Sequence, residues 1–236
     1  MSHSEIDPQE RGEKMPKAEL VMARAQSRPG LKCEPDDPAW VEATGVEISS
    51  FPWYVAGTKQ ATRVRLLYDE ESLYARFECR DKHISASRTE PNTDVCEDSC
   101  VELFASPFPD RKPDYFNLEI NCCGTMLLGY GPDRWERRQA PVQLFSRIDV
   151  YHTVPGPTKE VSADDDGWMI DLRLPFAVIS EIAQEQVLPL PAFWRGNLYR
   201  CGGVADPQYG CWAPVVAPKP DYHRPEQFGT FRFQGE

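Results

Sequence analysis

Ala61-Thr-Arg-Val-Arg-Leu-Leu-Tyr-Asp-Glu-Glu-Ser-Leu-Tyr-Ala-Arg-Phe-Glu-Cys79 is the stretch on which the fold turns. Val64, Leu66 and Tyr68 alternate with Arg63 and Arg65. After the polar link Asp69–Ser72, Leu73, Ala75, Phe77 and Cys79 alternate with Tyr74, Arg76 and Glu78. Two adjacent runs of period two, joined by a short polar connection, predict a β-hairpin with one buried face.

Outward from this hairpin the same period recurs. It predicts strands at Val46–Val55, Val101–Ala105, Tyr115–Asn121, Thr125–Tyr130, Ser146–Thr153, Gly167–Leu174, Phe193–Cys201 and Thr230–Phe233. Only Phe176–Val187 has helical spacing, with Phe176, Ile179 and Ala183 on one side. Many short strands, turn-rich loops and one short helix predict an all-β fold, an antiparallel β-sandwich of jelly-roll or immunoglobulin-like type. The chain has 236 residues, and 22 are proline, roughly twice the usual share. Proline neither extends a helix nor donates to a sheet ladder, so these residues divide the chain into short extended pieces with stiff loops.

Residues 1–31 read as an N-terminal tail, a short helix or disordered, with five acidic and five basic residues and only Leu20-Val21-Met22 apolar. Residues 32–236 read as one domain, and the formal net charge of -11 belongs to them. That charge argues against nucleic acid and against anionic membrane surfaces, both of which call for a basic footprint. No apolar run approaches the length of a spanning helix. The start has no apolar signal core, which points to the cytoplasm and to reduced thiols, whereas a signal peptide already removed points outside the cell. Cys96 and Cys100, and the vicinal Cys122-Cys123, lack the spacings of zinc or thioredoxin motifs.

Two constellations carry candidate chemistry. In Asp94-Val-Cys-Glu-Asp-Ser-Cys-Val-Glu-Leu-Phe104, Val101 and Leu103 point to the core, and Glu102 and Phe104 point away. In Tyr115-Phe-Asn-Leu-Glu-Ile-Asn121, Phe116, Leu118 and Ile120 face the core, and Tyr115, Asn117 and Glu119 face out. Phe193–Arg200 adds polar residues, Arg200 among them. Carboxylates that accept from hydroxyls, donors from Arg and Asn, and aromatic rings over C–H faces suit a sugar; a solvated face with cross-strand pairs explains the same pattern. The second constellation is Tyr222-His-Arg224 on a proline-framed loop, either a ligand loop or a packed one. Glu102 and Glu119 on one face also supply the two carboxyls of a glycoside hydrolase.

At this point the sequence resembles the family-9 carbohydrate-binding modules and their DOMON-like relatives. The resemblance runs through Asp36-Asp-Pro-Ala-Trp40, Ala61–Tyr74, Glu97–Phe104, Tyr115–Asn121, Gly167-Trp-Met-Ile-Asp171, Trp194–Arg200 and Phe228-Gly229. It implies a non-catalytic β-sandwich that binds a neutral mono- or oligosaccharide and takes part in carbohydrate catabolism, since relatives sit beside xylanases. It also implies a sugar held between two tryptophans. Tyr222 matches the one in the C-terminal loop; where the other is expected this chain has Val95-Cys96, and Trp135 or Tyr130 is the candidate substitute. Glu102 matches a hydroxyl-binding carboxylate, and Asn117 stands where the family has an arginine. No cofactor is required, but structural calcium is implied near Asp81, Asp98 and Ser99, whose oxygens suit that ion. A sandwich that has lost sugar binding and serves as a scaffold is the third reading.

Overall fold

The computed structural model describes residues 18–158, 160, 162 and 164–235. The hairpin of the opening stretch is present as β3 (Thr62–Tyr68) and β4 (Ser72–Arg80), paired antiparallel with Val64 opposite Phe77 and Leu66 opposite Ala75. The other strands are β1 (Glu19–Arg24), β2 (Gly45–Ile48), β5 (Ser99–Ser106), β6 (Tyr115–Asn121), β7 (Met126–Gly131), β8 (Arg138–Gln139), β9 (Asp149–His152), β10 (Gly167–Pro175), β11 (Phe193–Gly202), β12 (Tyr209–Cys211) and β13 (Gly229–Phe233). They form one curled sheet in the order β8-β7-β6-β5-β11-β13-β1-β3-β4-β10-β9, with β12 on β11 and β2 on β3. The curl folds one half of the sheet over the other, which gives the expected sandwich.

β1 corrects the reading of residues 1–31 as a tail. It joins the halves and runs parallel to both neighbours, β13 and β3, so an otherwise antiparallel sheet is mixed. Leu20 and Met22 are in the core, and the intervening Val21 is exposed. Three apolar residues in a polar context gave too short a pattern to separate strand from helix. Residues 1–17 lie outside the described residues. The helix α2 is Phe176–Ala183, shorter than expected because Gln184 adopts a left-handed conformation, φ 55°, that ends it.

The core lies between the halves. Val101, Leu103, Phe116, Leu118 and Ile120 meet Val64, Leu66, Phe77 and Leu172, with Trp168 and Trp194 fully buried. Neither outer face is simply solvated. On the β4/β10 side, α1 (Pro38–Val41) and the segment before it cover Tyr74 and Arg76. Arg76 makes a two-pronged ion pair with Asp171, Nε–Oδ1 2.7 Å and Nη2–Oδ2 2.8 Å, under the ring of Trp40. Asp171 also accepts from the backbone N–H groups of Lys32 and Cys33. On the β5/β6/β11 side the cover is the C-terminal loop, and there the polar residues gather. Among the described residues, no helix is long and apolar enough to cross a membrane.

Candidate functional site

Strand parity and register build the floor. Glu102 on β5 lies directly opposite Glu119 on β6 and Tyr199 on β11; Asn117 lies opposite Phe104 and Gly129, and Cys201 opposite Cys100. The expected split of faces holds: the odd positions of β5 pack inward, and Glu102 and Phe104 point to the other side. That side carries its own apolar cluster, with Val95, Phe104, Tyr115, Leu127, Tyr199, Tyr222 and Phe228. Glu102 and Glu119 are 3% and 4% exposed, so the face is a covered site rather than a solvated sheet surface.

A cavity of about 240 Å³ opens above the two carboxyls. Leu127, Cys201, Tyr209, Arg134, Arg137, Tyr222 and His223 are among its walls. A second cavity of about 490 Å³ shares Arg134, Pro220, Asp221 and His223 with it and carries Trp135, which is 87% exposed. The loop from β7 to β8 presents Arg134, Trp135 and Arg137. Asp133 shapes it by accepting from the N–H groups of Trp135 and Glu136, an Asx turn. A larger depression of about 580 Å³ lies on the outer side of β3, β4 and β10. Its charged residues are exposed, apart from Glu78, which pairs with Arg65.

Electrostatics distinguish the floor. Glu102 accepts from the thiol of Cys201 at 3.1 Å, and no Lys or Arg among the described residues pairs with it. Glu119 accepts from Asn117 Nδ2 at 2.9 Å and lies 3.7 Å from Arg137 Nη1. Burial, reinforced by Glu119, holds the Glu102 carboxyl well above the usual range, and burial raises Glu119 against the pull of Arg137 and Asn117. His223 Nε2 accepts from Arg137 at 3.1 Å, so Nδ1 carries the proton and donates to the Tyr115 oxygen at 2.7 Å. Burial, with Arg137 and Arg134 nearby, pushes the imidazole down to about 2. His223 is therefore a neutral wall that fixes Arg137.

The structure brings Glu102, Glu119 and His223 together, with Trp135 at the rim, and moves other candidates elsewhere. Tyr222 is not a free stacking platform. It is 6% exposed and lies face to face on Tyr199, centroids 4.0 Å apart. Its hydroxyl is 3.0 Å from the carbonyls of both Arg200 and Gly210, so it pins the C-terminal loop to β11 and β12 where it lines the cavity. Asn117 is fully buried, donates to Glu119 and is not among the residues lining the cavity. Glycine at 129 permits this, since a Cβ there would lie 2.6 Å from Asn117 Oδ1. Tyr130 faces the main core.

Arg200 pairs with Val101, a core-facing position one residue out of step with Tyr199, and its side chain leaves the site for the interior. There Nη2 meets Asp81 Oδ2 at 2.5 Å, and the guanidinium lies over Trp168. The residues of the calcium expectation lie in the same network. Asp81 accepts from Arg200, from Ser99 Oγ at 2.8 Å, from Trp168 Nε1 at 3.0 Å and from the His83 N–H at 2.8 Å. Asp98 accepts from Ser87, Arg88 and Asn121. With their acceptor sites taken and a cation supplied by Arg200, Asp81, Asp98 and Ser99 do not fit a calcium ion. Among the described residues, no cluster of three or more His, Cys, Asp or Glu is arranged to hold a metal.

Arg134, Arg137 and Cys201 were not predicted as site residues. Only the folded β7–β8 loop shows which side chains lie over Glu119. All eight cysteines are free thiols.

A curled β-sandwich with a covered carboxyl floor and an aromatic rim has the form of a ligand-holding fold. Residues 40–233 match carbohydrate-binding family 9, and the chain belongs to that family. A solved structure of a Bacteroides uniformis protein described as a candidate carbohydrate-binding protein is similar over 93% of this chain and 100% of that one, with TM-score 0.81 and 22% identity. A family-9 module of Caldicellulosiruptor kristjanssonii, solved with glucose, is similar over 93% and 97%, with TM-score 0.62 and 12% identity. A family-9 module of the same organism, solved with cellotriose, gives TM-score 0.61 and 12% identity over 93% and 95%. The comparison with curated proteins gave no match.

Proposed function

We propose that the chain binds a neutral mono- or oligosaccharide in the cavity above Glu102 and Glu119 without cleaving it. One sugar unit sits on the carboxyl floor, where Glu102, Glu119 and Arg137 reach its hydroxyls. A neighbouring unit lies against Trp135 in the adjoining cavity. The observation that carries this reading is the buried carboxyl pair opening into a cavity that shares Arg134, Pro220, Asp221 and His223 with a neighbouring cavity lined by an exposed tryptophan. Buried acceptors and a planar apolar surface together match the alternation of hydroxyl edge and C–H face on a pyranose. Membership of a carbohydrate-binding family, and the ligands of the Caldicellulosiruptor module, support the same class. The test is titration calorimetry with glucose, cellotriose and xylobiose, with Glu119→Leu as the control. Heat from at least one sugar, lost in the variant, is expected; silence from all three at millimolar concentration refutes the reading and favours a scaffold.

The pairing of Glu102 with Glu119 also favours a second reading, glycoside hydrolysis, because cross-strand partners are only about 5 Å apart at Cβ, near the carboxyl separation of a retaining enzyme. A hydrolase places its carboxyls on either side of the scissile bond. Here both rise from one sheet floor and reach a ligand from the same side. Release of a chromophore from an aryl glycoside, abolished by Glu102→Gln, overturns the binding-only account.

A further inference from the structure

Glu102 and Glu119 are adjacent on neighbouring strands, in register, and nearly without solvent. What surrounds them is short of positive charge. From β11 come the Cys201 thiol and the Tyr199 phenol, from β5 the Cys100 thiol, and from β12 the Tyr209 phenol. Burial pushes each of these upward, so all are neutral. The turn before β5 adds Cys96, raised to about 12, and Asp94. The C-terminal loop adds Tyr222, also raised, neutral His223, and Asp221. The β7–β8 loop brings Arg134, held by Asp221 at 3.3 Å, and Arg137, shared between Glu119 and His223. Arg224 also pairs with Asp221, at 3.0 Å, so Arg137 is the one arginine among the described residues that pairs with the glutamates, and it does so through Glu119 and not Glu102. Two buried like charges side by side with no free counter-charge do not both ionise.

We propose that Glu102 and Glu119 hold one proton between them and grip a sugar as a donor–acceptor pair, one carboxyl giving a hydrogen bond and the other receiving one. The inference rests on the sugar-binding reading of this cavity. Its chemical basis is that a hydroxyl both donates and accepts, whereas two carboxylates can only accept. Arg137 contacts Glu119 and His223 and not Glu102, so its remaining N–H groups serve the hydroxyl on the Glu119 side. The ligand selected is a polyol with adjacent hydroxyls, one for each carboxyl. Affinity falls when rising pH removes the shared proton, because the pair then loses its donor and gains a second negative charge.

The test joins two measurements on the whole protein. Infrared difference spectra during a pH titration read the carbonyl stretch of a protonated carboxyl directly. The proposal expects that band at neutral pH, lost at alkaline pH and absent at neutral pH from Glu102→Gln, where Glu119 alone ionises. Glu119→Gln serves as the second variant. Calorimetry with glucose across the same range should show wild-type affinity falling about tenfold per pH unit above the midpoint of the band's loss. In Glu102→Gln, whose amide keeps a donor at every pH, the profile should be flat. Glucose binding with no carboxyl band at neutral pH refutes the shared proton and leaves the sugar site standing. The band without glucose or cellotriose binding at any pH refutes the sugar site and, with it, the donor–acceptor grip.

Discussion

Replacing Glu102 with Gln should stabilise the protein at neutral pH, although it alters a buried polar residue beside its proposed ligand. The raised carboxyl binds its proton more tightly in the folded chain than in the unfolded one, where a glutamate titrates near about pH 4.3. Its stabilising share is therefore complete below that point and is lost as pH rises toward the folded value, at about 1.4 kcal/mol per pH unit. His223 works oppositely. Its folded value of about 2 lies below the unfolded one near about pH 6.5, so its share is present above that point and is lost on acidification. Between roughly pH 4.3 and 6.5 the two slopes oppose each other, and above that window the carboxyl slope stands alone. By about pH 7 the Glu102 penalty amounts to as much as roughly 4 kcal/mol. The Gln side chain keeps an acceptor for Cys201 and relieves Glu119, so the gain should approach but not exceed that ceiling of roughly 4 kcal/mol. For a chain of this length the ceiling corresponds to a rise in Tm of at most roughly 8–16 °C. The assay is thermal melting of both proteins from acid to mildly alkaline pH, with the difference plotted against pH. It should be near zero at the acid end and grow with pH. A Glu102→Gln protein that melts lower than wild type at every pH, with no slope in the difference, refutes the charge assignment of the floor.

Other outcomes follow from the same contacts. Arg200→Met leaves the buried Asp81 carboxyl without its cation, and should cost about 3–5 kcal/mol in denaturant unfolding; added calcium should not restore it. Tyr222→Phe keeps the ring and removes the hydroxyl from two buried carbonyls, and should cost roughly 1–3 kcal/mol by chemical denaturation; a Tyr222 that is only a platform predicts no change. Trp135→Ala removes an exposed ring and should leave the melting curve unchanged while weakening oligosaccharide binding roughly three- to tenfold by calorimetry; binding of glucose alone should suffer less.

The sandwich was legible because one face of most strands is buried in apolar contacts, and period two survives single substitutions. Glu102 and Glu119 were legible for the same reason: parity alone puts them on one side. The reading failed where a strand position was polar on the core side. Arg200 has the composition of a surface residue and was placed in the site, but its register sends it to Asp81. Arg76 is the same case on the other face, buried by a segment whose docking on Asp171 spans 139 residues. Tyr222 was matched to a stacking position by its place in the loop, yet whether a ring is platform or anchor depends on what lies behind it, here Tyr199. β1 was invisible because its partners, β13 and β3, are parallel strands at distant points of the chain. Arg134 and Arg137 needed the β7–β8 loop to be folded before they could be seen over the floor.

Everything proposed for this cavity depends on a sugar occupying the Glu102–Glu119 floor. A crystal structure of the protein soaked with cellotriose tests it most directly. The account predicts one sugar ring within hydrogen-bond distance of both carboxyls and the next against Trp135. Sugar bound only outside this cavity, or the cavity filled by water at saturating cellotriose, contradicts it.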